Sequence, residues 1–285
     1  MRRLARALAR PCAVAAGALG ASLLRVSLAR AAPQPESGWG YPRDVSVDGH
    51  RIDWLLNITS VFVGILFIIM VVWMAIAIVK HGRRHTAQYD HGTAKKQALK
   101  ALGLSALIFA IVDGNLFVNS TIDLDEAFWN FAKAETHPEA VRIEINAHQW
   151  AWDARYAGSD GEFGTADDIV TLNDVRVPVG VPVVLQLRSV DVIHSFYLPN
   201  LRQKVDVVPG TTRHLWFTAK ETGEFEIACA QHCGVHHYKM RGVLTIYEPE
   251  RYRVWLGEAE ANARVAYDAA DTLGHWGWRW DKDYY

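Results

Sequence analysis

"VRIEINAHQWAWDARY", residues 141–156, decides how the second half of this chain folds. Val141, Ile143 and Ile145 alternate with Arg142, Glu144 and Asn146, the two-residue period of a strand with one covered face. Further short runs follow in "DVRVPVG", "VPVVLQLRS", "HLWFTAK", "EFEIACA" and "GVLTIYE", separated by Pro, Gly and Asn. Strands this short at this spacing predict an antiparallel sandwich or Greek-key barrel. After Glu248, "PERYRVWLGEAEANARVAYDAAD" reads as a surface helix, and the chain closes on the aromatic "GHWGWRWDKDYY".

Upstream the composition changes. Residues 54–79, "WLLNITSVFVGILFIIMVVWMAIAIV", carry no charge and exceed the roughly 20 residues that cross a bilayer as a helix. The run at 98–118, "ALKALGLSALIFAIVDGNLFV", reads as a second span, with a buried helix of a soluble protein as the alternative. Lys100 can reach the interface along its stem, while Asp113 costs about 2.5–3.5 kcal/mol at depth unless it faces protein or headgroups. Between the runs lie Lys80, Arg83, Arg84, Lys95 and Lys96 against Asp90 alone. A short basic loop stays cytoplasmic, so both ends of the hairpin emerge outside.

The first residues, "MRRLARALARPCAVAAGALGASLLRVSLARAAPQPE", have a charged start, a small apolar stretch and an Ala29-Arg30-Ala31 end, the layout of a secretory signal. Arg25 interrupts the apolar run, so an uncleaved amphipathic N-terminus stands as the alternative. The expected organisation is a signal peptide at 1–31, a transmembrane hairpin at 32–120, an extracytoplasmic β domain at 121–249 and a C-terminal helix with aromatic tail at 250–285. Thirty Lys and Arg balance thirty-one Asp and Glu, which leaves no basic field for nucleic acid.

"CAQHCGVHHYKM", residues 229–240, gathers two of the three cysteines with three histidines and a methionine. Outside the cytoplasm a Cys229–Cys233 disulfide is one reading, but it gives no reason for His237, Met240 or the isolated His194 in "DVIHSFYLP". Zinc accepts thiolate and imidazole but has little use for a thioether. Methionine is a soft ligand that points to copper, and a single blue copper needs only one cysteine. Two thiolates on one loop instead suit a bridge between two copper ions, with one imidazole for each and weak positions filled by Met240 and a backbone carbonyl.

This pattern resembles subunit II of the haem–copper cytochrome c oxidases, from the first apolar run to about Tyr247. The family's Cys-x-x-x-Cys-x-x-x-His-x-x-Met spacing falls on Cys229, Cys233, His237 and Met240. The resemblance implies an α+β membrane protein in which a two-helix transmembrane hairpin precedes an all-β, cupredoxin-like Greek-key sandwich. It further implies a binuclear copper centre, CuA, held by these residues with His194 and the backbone carbonyl of Gln231. His232 and His236 fall off the family's ligand positions and are read as solvated.

The family's role would make this the electron-entry subunit of a proton-pumping cytochrome c oxidase in a bacterial inner membrane, with the copper domain on the periplasmic side. Electrons would come from a separate cytochrome c, since the chain has no Cys-x-x-Cys-His, and pass to haem in subunit I, where oxygen becomes water. "HQWAW" implies that Trp150 is the entry residue, against the alternative of a packing tryptophan; Ala151 stands where the family often has Tyr. Gln231 replaces the family's Glu, which binds magnesium, and Asp206 matches a second acidic residue there, so a weak or absent magnesium site is expected. One tightly held magnesium per complex in elemental analysis would overturn that. Asp160, Glu162, Asp167 and Asp168 in "GSDGEFGTADDIV" are expected to steer a lysine-rich cytochrome c, with a solvated turn or a calcium loop as alternatives. The rival function is a copper-binding or copper-delivery membrane protein with a cupredoxin domain.

Overall fold

The computed structural model describes residues 40–268 and 270, apart from 83, 84, 87, 88, 90 and 93. The expected signal peptide with Cys12, two arginines of the basic loop and the aromatic tail therefore lie outside the described residues.

The charge-free run at 54–79 lies inside α1 (Gly49–Lys80), and the second run lies in a helix that starts as α2 (Lys95–Ile108). That second helix continues through a π-helical turn, Phe109–Asp113, then α3 (Gly114–Asp123), and then a second π-helical turn, Leu124–Phe128. Both helices are long and apolar enough to cross a membrane, and their apolar windows bury nothing against the rest of the chain. Helix outlasts the apolar runs at both ends because charged side chains take over there. Arg51 in the first turn of α1 meets Asp123 at 2.9 Å and Glu126 at 3.0 Å, tying the two helices together beyond the apolar stretch. A short α4 (Phe131–Glu135), capped by the Asn130 side chain on Lys133 N, leads into the β domain.

Ten strands follow: β1 (Val141–His148), β2 (Ala151–Tyr156), β3 (Ile169–Leu172), β4 (Asp174–Pro178), β5 (Pro182–Ser189), β6 (His194–Leu198), β7 (Gln203–Val207), β8 (Arg213–Thr218), β9 (Gly223–Cys229) and β10 (Arg241–Tyr247). They form two five-stranded sheets, ordered β3-β2-β1-β5-β8 and β4-β10-β9-β6-β7. The β1–β5 and β4–β10 pairs are parallel and the rest antiparallel. Side chains from both sheets, among them Ile143, Leu185, Phe196, Ile227 and Leu244, meet in one core. This is a cupredoxin-like β-sandwich. A final helix, α5 (Pro249–Ala266), has proline near its N-terminus and packs Trp255 on the Tyr156 ring at 5.3 Å.

The half-covered strand expected at 141–146 needs correction. Glu144 and Asn146 are buried along with Ile143 and Ile145. β1 is the middle strand of its sheet, and its second face is covered by Arg155, which donates to Glu144 through Nε at 2.7 Å and also through Nη2. Arg155 also lies 3.7 Å from Asp168. Burial lifts both carboxyl groups above the ordinary carboxylate range, and Arg155 works against that lift.

The acidic loop is corrected by the same network. Asp167 and Asp168 are buried, while Asp160 and Glu162 are exposed. The Thr165 hydroxyl donates to Asp167 at 2.6 Å, Arg264 reaches it from α5 at 3.0 Å, and its pKa is brought down to about 2, chiefly by the Thr165 bond. Asp168 accepts from Gly164 N at 2.6 Å. Two of the four carboxylates thus hold the loop to the sandwich and cannot face a partner. The loop also leaves β2 at the end opposite Trp150, about 20 Å of strand away.

Candidate metal centre

The topology brings the motif residues to one end of the second sheet. β6 begins at His194, β9 ends at Cys229, and β10 begins immediately after Met240. Phe196 pairs with Cys229 and Ala228 with Arg241, so adjacent strands fix where the three segments stand. The 230–240 loop between β9 and β10 then has only to fold back over that end. A 3-10 turn, His237–Lys239, does so and returns Met240 to the sheet.

Sulfur, nitrogen and oxygen converge there. Cys229 and Cys233 are free, with Sγ atoms 3.8 Å apart, far beyond the ~2.05 Å of a disulfide. His237 Nδ1 lies 3.6 Å and Met240 Sδ 3.7 Å from Cys233 Sγ. His194 Nδ1 lies 3.2 Å from Met240 Sδ, and the Cys229 thiol donates to the Gln231 carbonyl at 3.2 Å. His194, Cys229 and Cys233 place their ligand atoms within 4.8 Å of one another, the one such group of His, Cys, Asp and Glu among the described residues. Neither the acidic loop nor Asp206 takes part in such a cluster.

The two thiols differ in acidity. Burial opposes ionisation of Cys229, but hydrogen bonds to His194, to the Ser195 and Gln231 backbone and to His237 bring its pKa down to about 6. Burial and then the neighbouring Cys229 charge push Cys233 up to about 12. Cys229 is thus the more acidic of the two, and Cys233 holds its proton more tightly. Two soft thiolates, a thioether, two imidazoles and a carbonyl form a donor set that fits copper, and the paired sulfurs fit two ions.

Surrounding groups hold the ligands. His194 is fully buried, and its Nε2 meets Asp191 Oδ1 at 2.8 Å, which aims Nδ1 at the sulfurs. Asp191 also accepts from Val192 N at 2.6 Å and Gln149 N at 2.7 Å. The Gln149 amide in turn donates to the Cys233 carbonyl at 2.7 Å, pinning the metal loop to the β1–β2 turn. Trp150, next in that turn, is partly buried and meets His236 edge-on at 4.6 Å. His236 and His232 are exposed and lie outside the converging group. Asp206 is half exposed, accepting from Ser195 at 2.7 Å and Lys204 at 2.9 Å.

Asp191, Gln149 and Gly234 lie within "DVIHSFYLP", "HQWAW" and "CAQHCGVHHYKM", but the ligand spacing alone gives them no role. Gly234 has φ 121°, and a Cβ there would stand 2.8 Å from Gln149 Nε2 and 3.3 Å from the Trp150 ring. Gly234→Ala is therefore expected to cost about 1–3 kcal/mol and to displace Trp150. A shifted tryptophan emission maximum beside a lower urea midpoint checks this; a variant with both unchanged refutes the close contact.

This architecture defines a class, that of cupredoxin-like domains preceded by two helices able to cross a membrane. The chain belongs to the cytochrome c oxidase subunit II family. Residues 141–246 match the family model described as cytochrome c oxidase subunit II, periplasmic domain. The chain is 30% identical over 255 residues to the alternative cytochrome c oxidase subunit 2 of Bradyrhizobium diazoefficiens, covering 81% of this chain and 84% of that protein. It is 25% identical over 260 residues to cytochrome c oxidase subunit 2 of Cereibacter sphaeroides, covering 80% and 82% respectively. Among solved structures, the periplasmic domain of subunit II of cytochrome oxidase from Bradyrhizobium japonicum is 26% identical, covers 43% of this chain and 94% of that one, and superposes with a TM-score of 0.39.

Proposed function

We propose that this chain is the electron-entry subunit of a bacterial cytochrome c oxidase, taking electrons from a separate cytochrome c and relaying them to haem in a catalytic subunit I, where oxygen is reduced to water. The observation that carries this reading is the convergence of Cys229, Cys233, His194, His237, Met240 and the Gln231 carbonyl at one end of the sandwich. A dicopper centre held there supplies reversible one-electron acceptance with little change in bond length.

The residues around it do the rest. Cys233 and Met240 are all but inaccessible, which keeps water from the sulfurs. Asp191 fixes the His194 ring, and Gln149 fixes the loop backbone at Cys233. Trp150 stands beside this loop as the proposed entry residue. The apolar helices would anchor the chain in the inner membrane with the sandwich on the periplasmic side, consistent with the basic side chains between them. Gln231 offers no charged side-chain oxygen, and Asp206 already neutralises Lys204, so we retain the expectation of a weak or absent magnesium site.

An electron spin resonance spectrum of the copper-loaded protein tests the reading. A mixed-valence signal split by two equivalent copper nuclei is expected; a mononuclear copper signal, or none, rules the dicopper centre out. The revised position of the acidic loop yields a kinetic expectation. Asp160 and Glu162 lie about 20 Å of strand from Trp150, well beyond the ~8 Å screening length at physiological salt. Neutralising both, as Asp160→Asn with Glu162→Gln, should change the association rate with cytochrome c by less than about twofold at that salt. A tenfold drop in stopped-flow rate would restore the loop to the docking surface.

A further inference from the structure

The turn that links the His194 strand to the next strand is held by the first apolar helix. Residues 199–202 connect β6 to β7, and Arg202 ends the turn in the left-handed region at φ 59°. Its guanidinium grips Asp53 of α1 with two parallel bonds, Nε to Oδ1 at 2.7 Å and Nη2 to Oδ2 at 3.1 Å. Its third nitrogen, Nη1, donates to the Pro199 carbonyl at 2.7 Å, so the same side chain closes its own turn. The arginine side chain is only 8% exposed. Nearby, Val45 N donates to Asn200 O at 2.9 Å and Val47 N to Thr218 O at 2.9 Å, laying the segment before α1 along the sandwich. Two residues before Asp53, Arg51 holds the second apolar helix through Asp123 and Glu126.

We propose that Arg202 and Asp53 are positioning residues that set where the His194 strand stands relative to the apolar hairpin, and through it relative to the electron acceptor in the membrane partner. This rests on the proposed electron relay. The geometry has the features such a role needs. Arg202 lies eight residues after His194 along one strand and one tight turn, so a shift of the turn is carried to β6 with little slack. A bidentate arginine–carboxylate pair fixes both distance and angle, which a single lysine contact does not. Arg202 is not in the converging group of candidate ligands, and its guanidinium bonds run to Asp53 and Pro199, so the donor set does not include it.

The test uses the full chain in its assembled complex, with variants Asp53→Asn, Arg202→Gln and the charge exchange Asp53→Arg with Arg202→Asp. First, wild type must show the split copper signal and be reduced by cytochrome c; failure there sinks the proposed relay itself and not the latch. In the single variants the copper spectrum and its reduction by cytochrome c should stay unchanged. Onward transfer to haem, followed after rapid photoreduction, should slow by roughly 10–100-fold, the upper figure being the cost of a misplacement of about 1 Å between positioned reactants. In the metal-free full chain, amide exchange at residues 199–207 should quicken in both single variants, a readout independent of turnover. The charge exchange should restore the transfer rate and the exchange protection. Should the single variants fail to assemble, recovery of assembly in the exchange supports the latch, and its absence overturns it. Onward transfer at the wild-type rate in both single variants, or an exchange variant no better than they are, also overturns it.

Discussion

Cys233→Ser is expected to abolish the purple, mixed-valence signal of the proposed dicopper centre and to lower the proposed electron acceptance from cytochrome c by at least ~100-fold. Groups that merely orient a ligand already cost about 10–100-fold in metal affinity or activity when lost, and Cys233 would itself be a bridging ligand. Its Sγ is the atom from which Cys229, His237 and Met240 are all measured within 4 Å. Serine preserves size but its alkoxide is far harder to form and poorly suited to copper. The site is buried by packing that does not depend on the sulfur, so the fold should survive with a nearly unchanged urea midpoint. Retention of the visible band and of turnover in this variant would remove the basis for a thiolate-bridged centre.

Arg155→Met should destabilise the sandwich by about 3–5 kcal/mol at pH 7, because it strands two carboxylates in the core. Glu144 and Asp168 are both buried, and Arg155 is the cation within ion-pair distance of both, with Arg188 a weaker influence on Glu144. Their pKa values already lie above the ordinary range, with burial the main cause and Arg155 the main side-chain charge opposing it. A carboxyl raised on folding contributes stability only below its unfolded value of about 4, and opposes folding as pH rises through its folded value. Without Arg155 those folded values climb further. The deficit should therefore shrink as pH falls from 7 towards 5, where the stranded groups take up protons. Urea titrations of the full chain in detergent at the two pH values would check this; equal deficits, or a loss below 1 kcal/mol, would contradict it.

Legibility in the sequence followed the range of the physical cause. Alternation or continuous apolar runs mark β1, β4, β5, β8, β9 and β10, because burial on a strand acts at a period of two residues, while β2 is not set apart from β1 within 141–156. β3 is four residues long, and β7, "QKVDV", alternates too weakly to stand out. β6 was noticed only for its histidine, though it forms the centre of the site's geometry. The residues singled out at 229–240 do meet, since one loop between paired strands carries most of them. Asp167 and Asp168 were misread as a surface rim because what buries them comes from elsewhere: Arg264 lies 97 residues further along, and Arg155 on a neighbouring strand. Asp191 and Gln149 were missed as well. Gln149 meets Asp191 and Cys233 across 42 and 84 residues, and the contact of Asp191 with His194, though only three residues away, carries no ligand spacing of its own.

The two π-helical turns in the second apolar helix carry a consequence for how that helix is mapped. Each such turn holds one residue more than an α turn, so the side chains after it are rotated by about 100° against a simple wheel. A wheel drawn straight through residues 95–128 would therefore assign Asn115 and Asn119 to the wrong azimuth relative to Leu104 and Leu107. Scanning cysteine by cysteine for lipid accessibility should reveal a stripe that skips phase at 109–113, rather than one unbroken spiral.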